Sequence, residues 1–324
     1  MAQPEFTPPS ADFDSAMVIA HQLESACATD PRVAQIKPRA LIRHVKGKRA
    51  IFHAGFEGHD AVVRLFLSPD DDTAAREWDE MQRLWPYMSE GTLRIARPLF
   101  ACPAHGIVVT AAVPGTPLLE HLWTLDPADR SPYLPAAADW LHKSTAMSEG
   151  WRVASAKGWL RRARAASEQQ PWAHLAELES GILTEMARLA GQIEKAQWRT
   201  AISHGDFHPN NLIAKENQLT GIDIGGSRRM PIYKDMARFL MHLGRRRVDM
   251  GSPLIYGVSR AGFEAFCAAF QLEPVERNTF LPFMLGFEAL IRVETESLPA
   301  SRIRRAEKTY GDLLADLRRN ATPA

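Results

Sequence analysis

The amino-acid sequence predicts an α+β protein with a small β-rich first part and a larger, mainly helical second part. Three short runs rich in β-branched and aromatic residues follow one another between residues 40 and 67, separated by turn signals. Beyond residue 118 apolar residues recur mostly at helical spacing. The segment "PGTPLL" (114–119) lies between these two regions and reads as a linker.

The length and charge of the chain set the broad class of protein. The 324 residues suffice for about two domains, and we expect them at 1–112 and 113–324. A content of 45% hydrophobic and 24% charged residues is that of an ordinary soluble globular protein. The formal net charge of +1 gives no overall attraction to nucleic acid or to an anionic membrane.

The cysteines and the first residues indicate the compartment. Cys27, Cys102 and Cys267 are far apart and form no CxxC pair, which argues against a disulfide framework or a structural zinc. The opening "MAQPEFTPPS" has neither the basic nor the apolar region of a signal peptide. We therefore expect a cytoplasmic protein.

The first part of the chain is predicted to contain two helices and five strands. The Pro-rich residues 1–12 are expected to be disordered. Helices are predicted in 12–27 and in 68–88, the second opening with acidic residues and a Thr. The strands are "ALIRHV" (40–45), "RAIFHAGF" (49–56), "DAVVRLFL" (60–67) and two more around "PAHG" within 97–113.

The second part is predicted to be helical with one exception. The exception is 201–227, where "LIA" and "LTGIDI" indicate a short β-hairpin. The run "FLPFMLGFEALI" (280–291) is too short to span a bilayer and contains Glu288, so we interpret it as a buried helix. The predicted helices are 118–124, 133–147, 155–167, 172–196, 234–247, 260–271, 276–296 and 299–319.

The stretch "SHGDFHPNNLI" (203–213) carries the strongest chemical signal. Asp206 lies in a loop, where a carboxylate can accept a proton from a substrate hydroxyl. Asn211 begins the hairpin and Asp223 ends it, and a carboxylate with an amide oxygen suits Mg²⁺. A base beside a Mg²⁺ site is the arrangement that phosphoryl transfer requires.

"HGDFHPNNLI" followed by "IDIGG" resembles the catalytic loop and metal segment of the aminoglycoside phosphotransferase/choline kinase family, the small-molecule branch of the protein-kinase-like fold. The resemblance implies a two-lobe fold with a small antiparallel β-rich N-lobe and a larger helical C-lobe. It implies Asp206 as catalytic base, Asn211 and Asp223 as Mg²⁺ ligands, and His204 as support of the loop. It also implies ATP as phosphoryl donor.

The resemblance extends to the nucleotide site. Arg64 in "DAVVRLF" lies where the family has a cation for the phosphates, and Glu77 lies where its partner acid belongs. "VVTAAVPGTPL" resembles the hinge, which implies adenine contacts near Ala111 and Val113. In the phosphate loop "RHVKGKRAIF" glycine is scarce, and side-chain cations such as Lys48 are expected to substitute.

Two further segments compare with the family pattern, one with a substitution and one as a match. The metal segment reads Asp-Ile-Gly, with Ile224 in place of the usual Phe. "YKDMARFL" resembles the segment after the metal Asp, which implies that Asp235 braces the catalytic loop; a helix N-terminal charge is the alternative.

The acceptor is less defined by the sequence. "AKGWLRRARAA" (156–166) is basic, so a neutral polyol, a sugar or an anionic metabolite fits the charge at least as well as an aminoglycoside. Choline would require an aromatic cage. The candidates for that cage are Trp159, Trp172, Phe283 and Phe287.

The sequence thus predicts an ATP- and Mg²⁺-dependent kinase of a small-molecule hydroxyl on a sugar, amino alcohol or aminoglycoside-like acceptor. Two alternatives remain open. One is a non-catalytic nucleotide-binding regulatory module, suggested by the glycine-poor loop and Arg64. The other is a metal-dependent hydrolase built on "HGDFH". We expect a small-molecule partner, no nucleic acid and no membrane insertion; the identity of the acceptor, ATP versus GTP and the oligomeric state stay open.

Overall fold

The computed structural model describes residues 13–68 and 72–320, and the chain forms two compact units. The first unit comprises Met1–Gly115 and Thr220–Ser227, and the second comprises Thr116–Leu219 and Arg228–Ala324. The predicted disordered segment 1–12 lies outside the described residues, as do residues 69–71 of the predicted helix region 68–88. The functional assignments of 1–112 and 113–324 stay predictions.

The first unit is built on a five-stranded antiparallel sheet and two helices. The helices are α1 (Phe13–Thr29) and α2 (Thr73–Met88). The strands are β1 (Lys37–Val45), β2 (Arg49–Phe56), β3 (His59–Phe66), β4 (Leu93–Ile95), β5 (Pro98–Cys102) and β6 (Ile107–Ala111). The sheet order is β1-β2-β3-β6-β5, which confirms the predicted meander and the two later strands.

The strand β2 shows the alternating burial that is typical of a strand with one face in the core. Along β2 every second residue is buried, and these residues pack into one core with Val63, Leu65, Phe100 and Val109. Gly47 stands at φ +67° in the turn between β1 and β2, a conformation that favours glycine. β3 lies in the middle of the sheet because β2 and β6 pair with its two edges, and Arg64 projects from β3.

The second unit is mainly helical, as predicted. Its helices are α3 (Leu118–Thr124), α4 (Pro127–Arg130), α5 (Tyr133–Ala146), α6 (Lys157–Ser167), α7 (Ala173–Ile193), α8 (Tyr233–Gly244), α9 (Arg260–Ala269), α10 (Leu281–Leu290) and α11 (Ala300–Arg319). A π-helical turn, Glu276–Phe280, leads into α10. All residues of α8 and α10 are buried, so these two helices form the centre of the unit.

Two predictions for the second unit are wrong in detail. The predicted helix 276–296 ends at Leu290, and the predicted hairpin is not the only β-structure. The remaining strands are β7 (Thr116–Pro117), β8 (Gly150–Val153), β9 (Gln197–Ser203), β10 (Leu212–Lys215), β11 (Gln218–Gly221), β12 (Arg228–Pro231), β13 (Leu254–Ile255) and β14 (Val258–Ser259). β12, β9 and β8 form an antiparallel sheet, and β9 leads directly into the stretch 203–213.

The two strands of the predicted hairpin are present. They are β10 and β11, which follow one another across a short turn in which Glu216 has φ +51°. β10 pairs with β7 within the second unit, and the backbone N–H of Ala96 donates to the Gly221 carbonyl within the first.

Among the described residues, no helix combines the length and the apolar character needed to cross a bilayer. The predicted buried helix near 280–291 is confirmed by α10, all of whose residues are buried. Cys27, Cys102 and Cys267 are free thiols.

Candidate active site

The loop after β9 is fixed in the core by an aromatic side chain. Phe207 is fully buried and stacks between Trp140 (5.5 Å between ring centroids) and Phe239 (5.3 Å). His204 is also buried, with its ring 6.0 Å from that of Trp140. This position is that of a structural residue, as expected for His204. The central phenylalanine of the polar stretch thus lies in the core, as do Leu212 and Ile213 at its end.

Hydrogen bonds to the backbone fix the loop further. The N–H of Gly205 donates to Asp235 Oδ2 (2.9 Å), and Lys234 Nζ donates to the Gly205 carbonyl (2.6 Å). Asn211 Nδ2 donates to the carbonyl of Asp206 (3.0 Å). The expectation that Asp235 braces the loop is confirmed by its bond to Gly205.

The carboxylate of Asp206 lies among three cationic or hydrogen-bonding side chains. Arg238 Nε lies 2.8 Å from Oδ1, Arg292 Nη2 lies 3.1 Å from the same oxygen, and His208 Nε2 lies 3.4 Å from Oδ2. The Asp206 side chain is nevertheless 44% exposed. It is held in place while a face of it stays open to solvent.

These neighbours determine the charge of Asp206. Burial alone would raise the pKa of the Asp206 carboxyl, but the hydrogen bond from His208 and the charge of Arg238 outweigh burial and lower that pKa well below its ordinary value. Asp206 is therefore ionised at neutral pH. A carboxylate of such low basicity can orient a hydroxyl and accept its proton late in the reaction, which suits phosphoryl transfer.

Two stacked histidines lie next to the carboxylate. The rings of His208 and His242 stack at 4.7 Å between centroids with an interplanar angle of 16°. Burial lowers the pKa of His208, against the opposing effect of Asp206, and burial with nearby Arg246 lowers the pKa of His242. Both rings are therefore neutral at pH 7, and His208 acts as a neutral hydrogen-bond donor to Asp206.

In the first unit, Arg64 and Glu77 form a buried ion pair. Nη2 of Arg64 on β3 lies 2.7 Å from Oε1 of Glu77 on α2. Both side chains are almost completely buried. Burial raises the pKa of Glu77 to about 7; Arg64 opposes this rise. The pairing expected from the sequence is present, whereas contact with nucleotide phosphates stays a prediction.

The metal segment packs directly against this ion pair. A Cβ added to Gly225 would lie 2.8 Å from Glu77 Oε2 and 3.2 Å from Thr73 Cγ2, so only glycine fits there without a shift. Asp223 adopts a left-handed backbone (φ +59°, ψ +51°), and its Oδ1 lies 3.9 Å from Arg49 Nη1. The carboxylate of Asp223 is thus partly exposed and close to the guanidinium of Arg49, the first residue of β2.

The other predicted nucleotide contacts lie elsewhere in the first unit. Lys48 is exposed, and its backbone N–H closes the β1–β2 turn on the carbonyl of Val45 (2.9 Å). Ala111 is the last residue of β6, and its N–H donates to the carbonyl of Arg97 (2.9 Å). Val113 is half-buried two residues further on. Their roles in binding nucleotide stay predictions.

The donor atoms at the predicted metal ligands suit a hard cation. Because the Asn211 amide nitrogen is engaged with Asp206, its carbonyl oxygen remains as the metal-binding atom, and Asp223 adds a carboxylate. Mg²⁺ prefers such oxygen ligands. Within the described residues, no three His, Cys, Asp or Glu side chains converge on one point, and the hydrolase built on "HGDFH" stays an untested alternative.

The candidate aromatic cage for choline already has a cation of the protein. The rings of Trp159 and Phe287 meet edge to face at 4.8 Å, and the Arg162 guanidinium carbon lies 5.3 Å from each ring centroid. Phe283 and Phe287 are fully buried. A quaternary ammonium ligand would have to displace Arg162, so this cluster disfavours choline as acceptor.

The sequence did not predict that Arg238 and Arg292 contact Asp206. They lie 32 and 86 residues after it in the chain. Arg238 lies within the segment "YKDMARFL", but the resemblance assigned no role to that arginine, and Arg292 lies outside the quoted motifs. The helix pattern placed Arg238 on α8, but its contact with the loop depends on how α8 packs.

Comparison with known proteins gives both a family and a fold. The profile of the phosphotransferase enzyme family matches residues 48–259. Comparison with curated proteins gave no match.

Solved structures share the fold at low identity. A glucosamine kinase in complex with glucosamine, ADP and inorganic phosphate matches with a TM-score of 0.62 and 14% identity, over 92% of this chain and 87% of that one. A choline/ethanolamine kinase family protein from Mesorhizobium loti matches with 0.57 and 16%, over 94% and 100%. Amicoumacin kinase hAmiN in complex with AMP-PNP, Ca²⁺ and Ami matches with 0.57 and 11%, over 91% and 96%. These similarities confirm the kinase-like α+β fold.

Proposed function

Because the chain belongs to the phosphotransferase enzyme family, we propose that it transfers the γ-phosphoryl group of ATP to a hydroxyl group of a small molecule, with Mg²⁺ as metal ion. The observation that carries the proposal is the state of Asp206, which is ionised, half-exposed and fixed by a braced loop. Structural neighbours that contain ADP or AMP-PNP support a nucleotide donor.

Asp206 is the proposed catalytic base. The acceptor oxygen forms a bond to the γ-phosphorus, the bond from that phosphorus to the bridging oxygen breaks, and ADP leaves. The hydroxyl proton passes to the Asp206 carboxylate. Because the transition state of such transfers is loose, we expect the carboxylate to contribute mainly by orienting the hydroxyl.

The nucleotide is assigned to the first unit. We assign the phosphates to Arg64, which Glu77 holds in a fixed position, and to Lys48 in the β1–β2 turn. A guanidinium can bind phosphate oxygens in a bidentate manner, so Arg64 is chemically suited to a position where related enzymes use lysine. The backbone near Ala111 and Val113 is assigned to the adenine.

Asn211 and Asp223 are the proposed ligands of Mg²⁺. Asn211 offers its side-chain carbonyl oxygen, because its amide nitrogen donates to Asp206, and Asp223 offers a partly exposed carboxylate. Both are hard oxygen donors, which Mg²⁺ prefers. When bound, Mg²⁺ neutralises charge that develops on the transferred phosphoryl group.

Thermal denaturation with and without Mg²⁺-ATP tests the nucleotide site. A ligand that binds only the folded state stabilises it by about 2.7 kcal/mol at a 100-fold excess over its Kd. We expect Mg²⁺-ATP to raise the Tm of the wild type and to have little effect on Asp223→Ala. The exposed carboxylate Asp79 provides a control, and Asp79→Ala should respond as the wild type does.

The glycine-poor turn keeps the non-catalytic module as a second candidate. Gly47 is the single glycine between β1 and β2, so the backbone offers less of a phosphate cradle there. Slow ATP hydrolysis without acceptor separates the two candidates. Hydrolysis that depends on Mg²⁺ and on Asp206 supports the kinase, whereas nucleotide binding without any turnover supports the module.

The three free thiols agree with a proposed cytoplasmic location.

A further inference from the structure

The second unit contains a cavity beside Asp206. It has a volume of about 570 Å³, within the range of small-molecule sites. Arg238 and Arg292, which both contact the Asp206 carboxylate, are part of its lining. A molecule in this cavity therefore lies next to the proposed catalytic base.

The lining of this cavity is strongly cationic. It contains six arginines and two glutamates: Arg238, Arg245, Arg246, Arg292, Arg302, Arg305, Glu288 and Glu294. Both glutamates are already engaged inside the protein. Glu294 pairs with Arg245 and lies 3.5 Å from Arg302, and Glu288 lies 3.5 Å from Lys234. The six guanidinium groups outnumber the two carboxylates, so the lining keeps an excess of positive charge.

Two of these arginines stand out because they lack acidic partners. In the part of the chain that the structure describes, neither Arg246 nor Arg305 has a carboxylate within 4.0 Å. Arg246 donates to the carbonyl of His242 (3.1 Å), and the buried Nε of Arg305 has no hydrogen-bond partner. Partly buried guanidinium groups of this kind are expected to bind an anion.

The electrostatics of the cavity favour the binding of an anion. Burial, together with the charges of Arg302, Arg245 and Arg238, lowers the pKa of Arg246 to about 10. Burial also lowers the pKa of Arg302. His242 lines the cavity with both ring nitrogens unpartnered among the described residues, and its side chain is almost completely buried. A bound anion would reduce the repulsion between these closely spaced positive charges.

Resting on the proposed function, we propose that the acceptor is a small hydroxyl compound with a carboxylate or phosphate group, which Arg246, Arg302 and Arg305 bind while its hydroxyl faces Asp206. A cationic acceptor would be repelled from the same cavity. The aromatic cluster at Trp159 agrees with this assignment, since Arg162 already covers it.

The first test measures anion binding without nucleotide. Tartrate and inorganic phosphate are titrated calorimetrically at constant ionic strength into the wild type and into Arg246→Gln/Arg305→Gln. Exposed Arg161 and Arg304 supply the matched control Arg161→Gln/Arg304→Gln, which removes the same charge. We expect the cavity variant to bind either anion roughly tenfold or more weakly and the control to bind as the wild type does. Absent binding, or equal binding by all three proteins, overturns the proposal.

The second test uses one sugar framework with four charges. Glucosamine, glucose, glucuronate and glucose 6-phosphate are offered with Mg²⁺-ATP, and kcat/KM is compared. Preference for glucuronate indicates a carboxylate acceptor, and preference for glucose 6-phosphate indicates a phosphorylated one. In either case the cavity variant should raise KM for the anionic sugar.

The two tests separate this inference from the proposed function. Better turnover of glucosamine or glucose than of both anionic sugars overturns the anionic acceptor and leaves the kinase assignment intact. Selective anion binding without any response to Mg²⁺-ATP contradicts the proposed function, while the anion site itself stands.

Discussion

Arg238 donates from Nε to Asp206 Oδ1 over 2.8 Å, so a buried arginine of α8 fixes the proposed catalytic carboxylate. The same oxygen accepts a hydrogen bond from Arg292 Nη2 (3.1 Å). This arrangement keeps Asp206 ionised and aligned with the cavity whose lining includes both arginines. The charge state of Asp206 therefore depends on His208 within the motif and on Arg238, which lies 32 residues further along the chain.

The first prediction concerns pH and Asp206. Its pKa in the folded state lies below its ordinary value of 3.8, so its interactions contribute stability above that pH and lose it as the pH falls. The difference in unfolding free energy between wild type and Asp206→Asn should be constant above about pH 5 and shrink below about pH 4. Denaturant titrations across this range measure it. A difference that stays constant from pH 5 down to about pH 3 would contradict the lowered pKa of Asp206.

The second prediction concerns the Arg64–Glu77 pair. Glu77→Ala leaves Arg64 buried without its acid and should destabilise the first unit by about 3–5 kcal/mol. Arg64→Met/Glu77→Leu removes both charges and should recover much of this stability while losing the response to Mg²⁺-ATP. Thermal denaturation with and without nucleotide measures both effects. A double variant that still responds to Mg²⁺-ATP would refute the role of Arg64.

The third prediction concerns Gly225. An alanine there pushes against Glu77 and Thr73, so Gly225→Ala should lower the stability by about 1–3 kcal/mol and weaken nucleotide binding. Gly191 in α7 provides the control, since a Cβ there meets no atom within 4 Å. Gly191→Ala should be neutral or stabilising by up to about 1 kcal/mol. Equal effects of the two substitutions would contradict the close packing at Gly225.

The fourth prediction concerns the bond between Gly205 and Asp235. Asp235→Ala leaves the Gly205 N–H without its acceptor, at a cost of about 1–3 kcal/mol, and should lower kcat although Asp206 is chemically unchanged. Asp235→Asn keeps an acceptor oxygen and should retain more activity. Steady-state kinetics of the two variants provide the comparison. If Asn and Ala reduce kcat equally, the negative charge of Asp235 matters rather than the hydrogen bond.

Much of the fold could be predicted because local patterns agree with it. The alternation in β2 matches its single buried face, and the nearly continuous apolar run of α10 matches its burial on all sides. The motif at Asp206 predicted the loop because the side chains that brace it, such as Asn211, lie within a few residues.

The rest depends on contacts that are distant in the chain. β8, β9 and β12 form one sheet, yet their short mixed sequences carry little strand signal alone. The segment after Leu290 leaves the helix, and Glu294 within it is buried against Arg245. The arginines of the cavity come from α8, the two residues that follow α8, the segment between α10 and α11, and α11, so their common position follows only from tertiary packing.

Comparing phosphoryl transfer by the wild type and by Asp206→Asn tests most directly whether Asp206 is the catalytic base. ATP consumption with Mg²⁺ is measured for both proteins and for the exposed-site control Asp139→Asn, across the charged and neutral sugars. We predict acceptor-dependent turnover that falls about 10²–10⁴-fold in Asp206→Asn and persists in the control, with the fold of all three proteins retained. Wild-type turnover by Asp206→Asn would contradict the role of Asp206 as catalytic base.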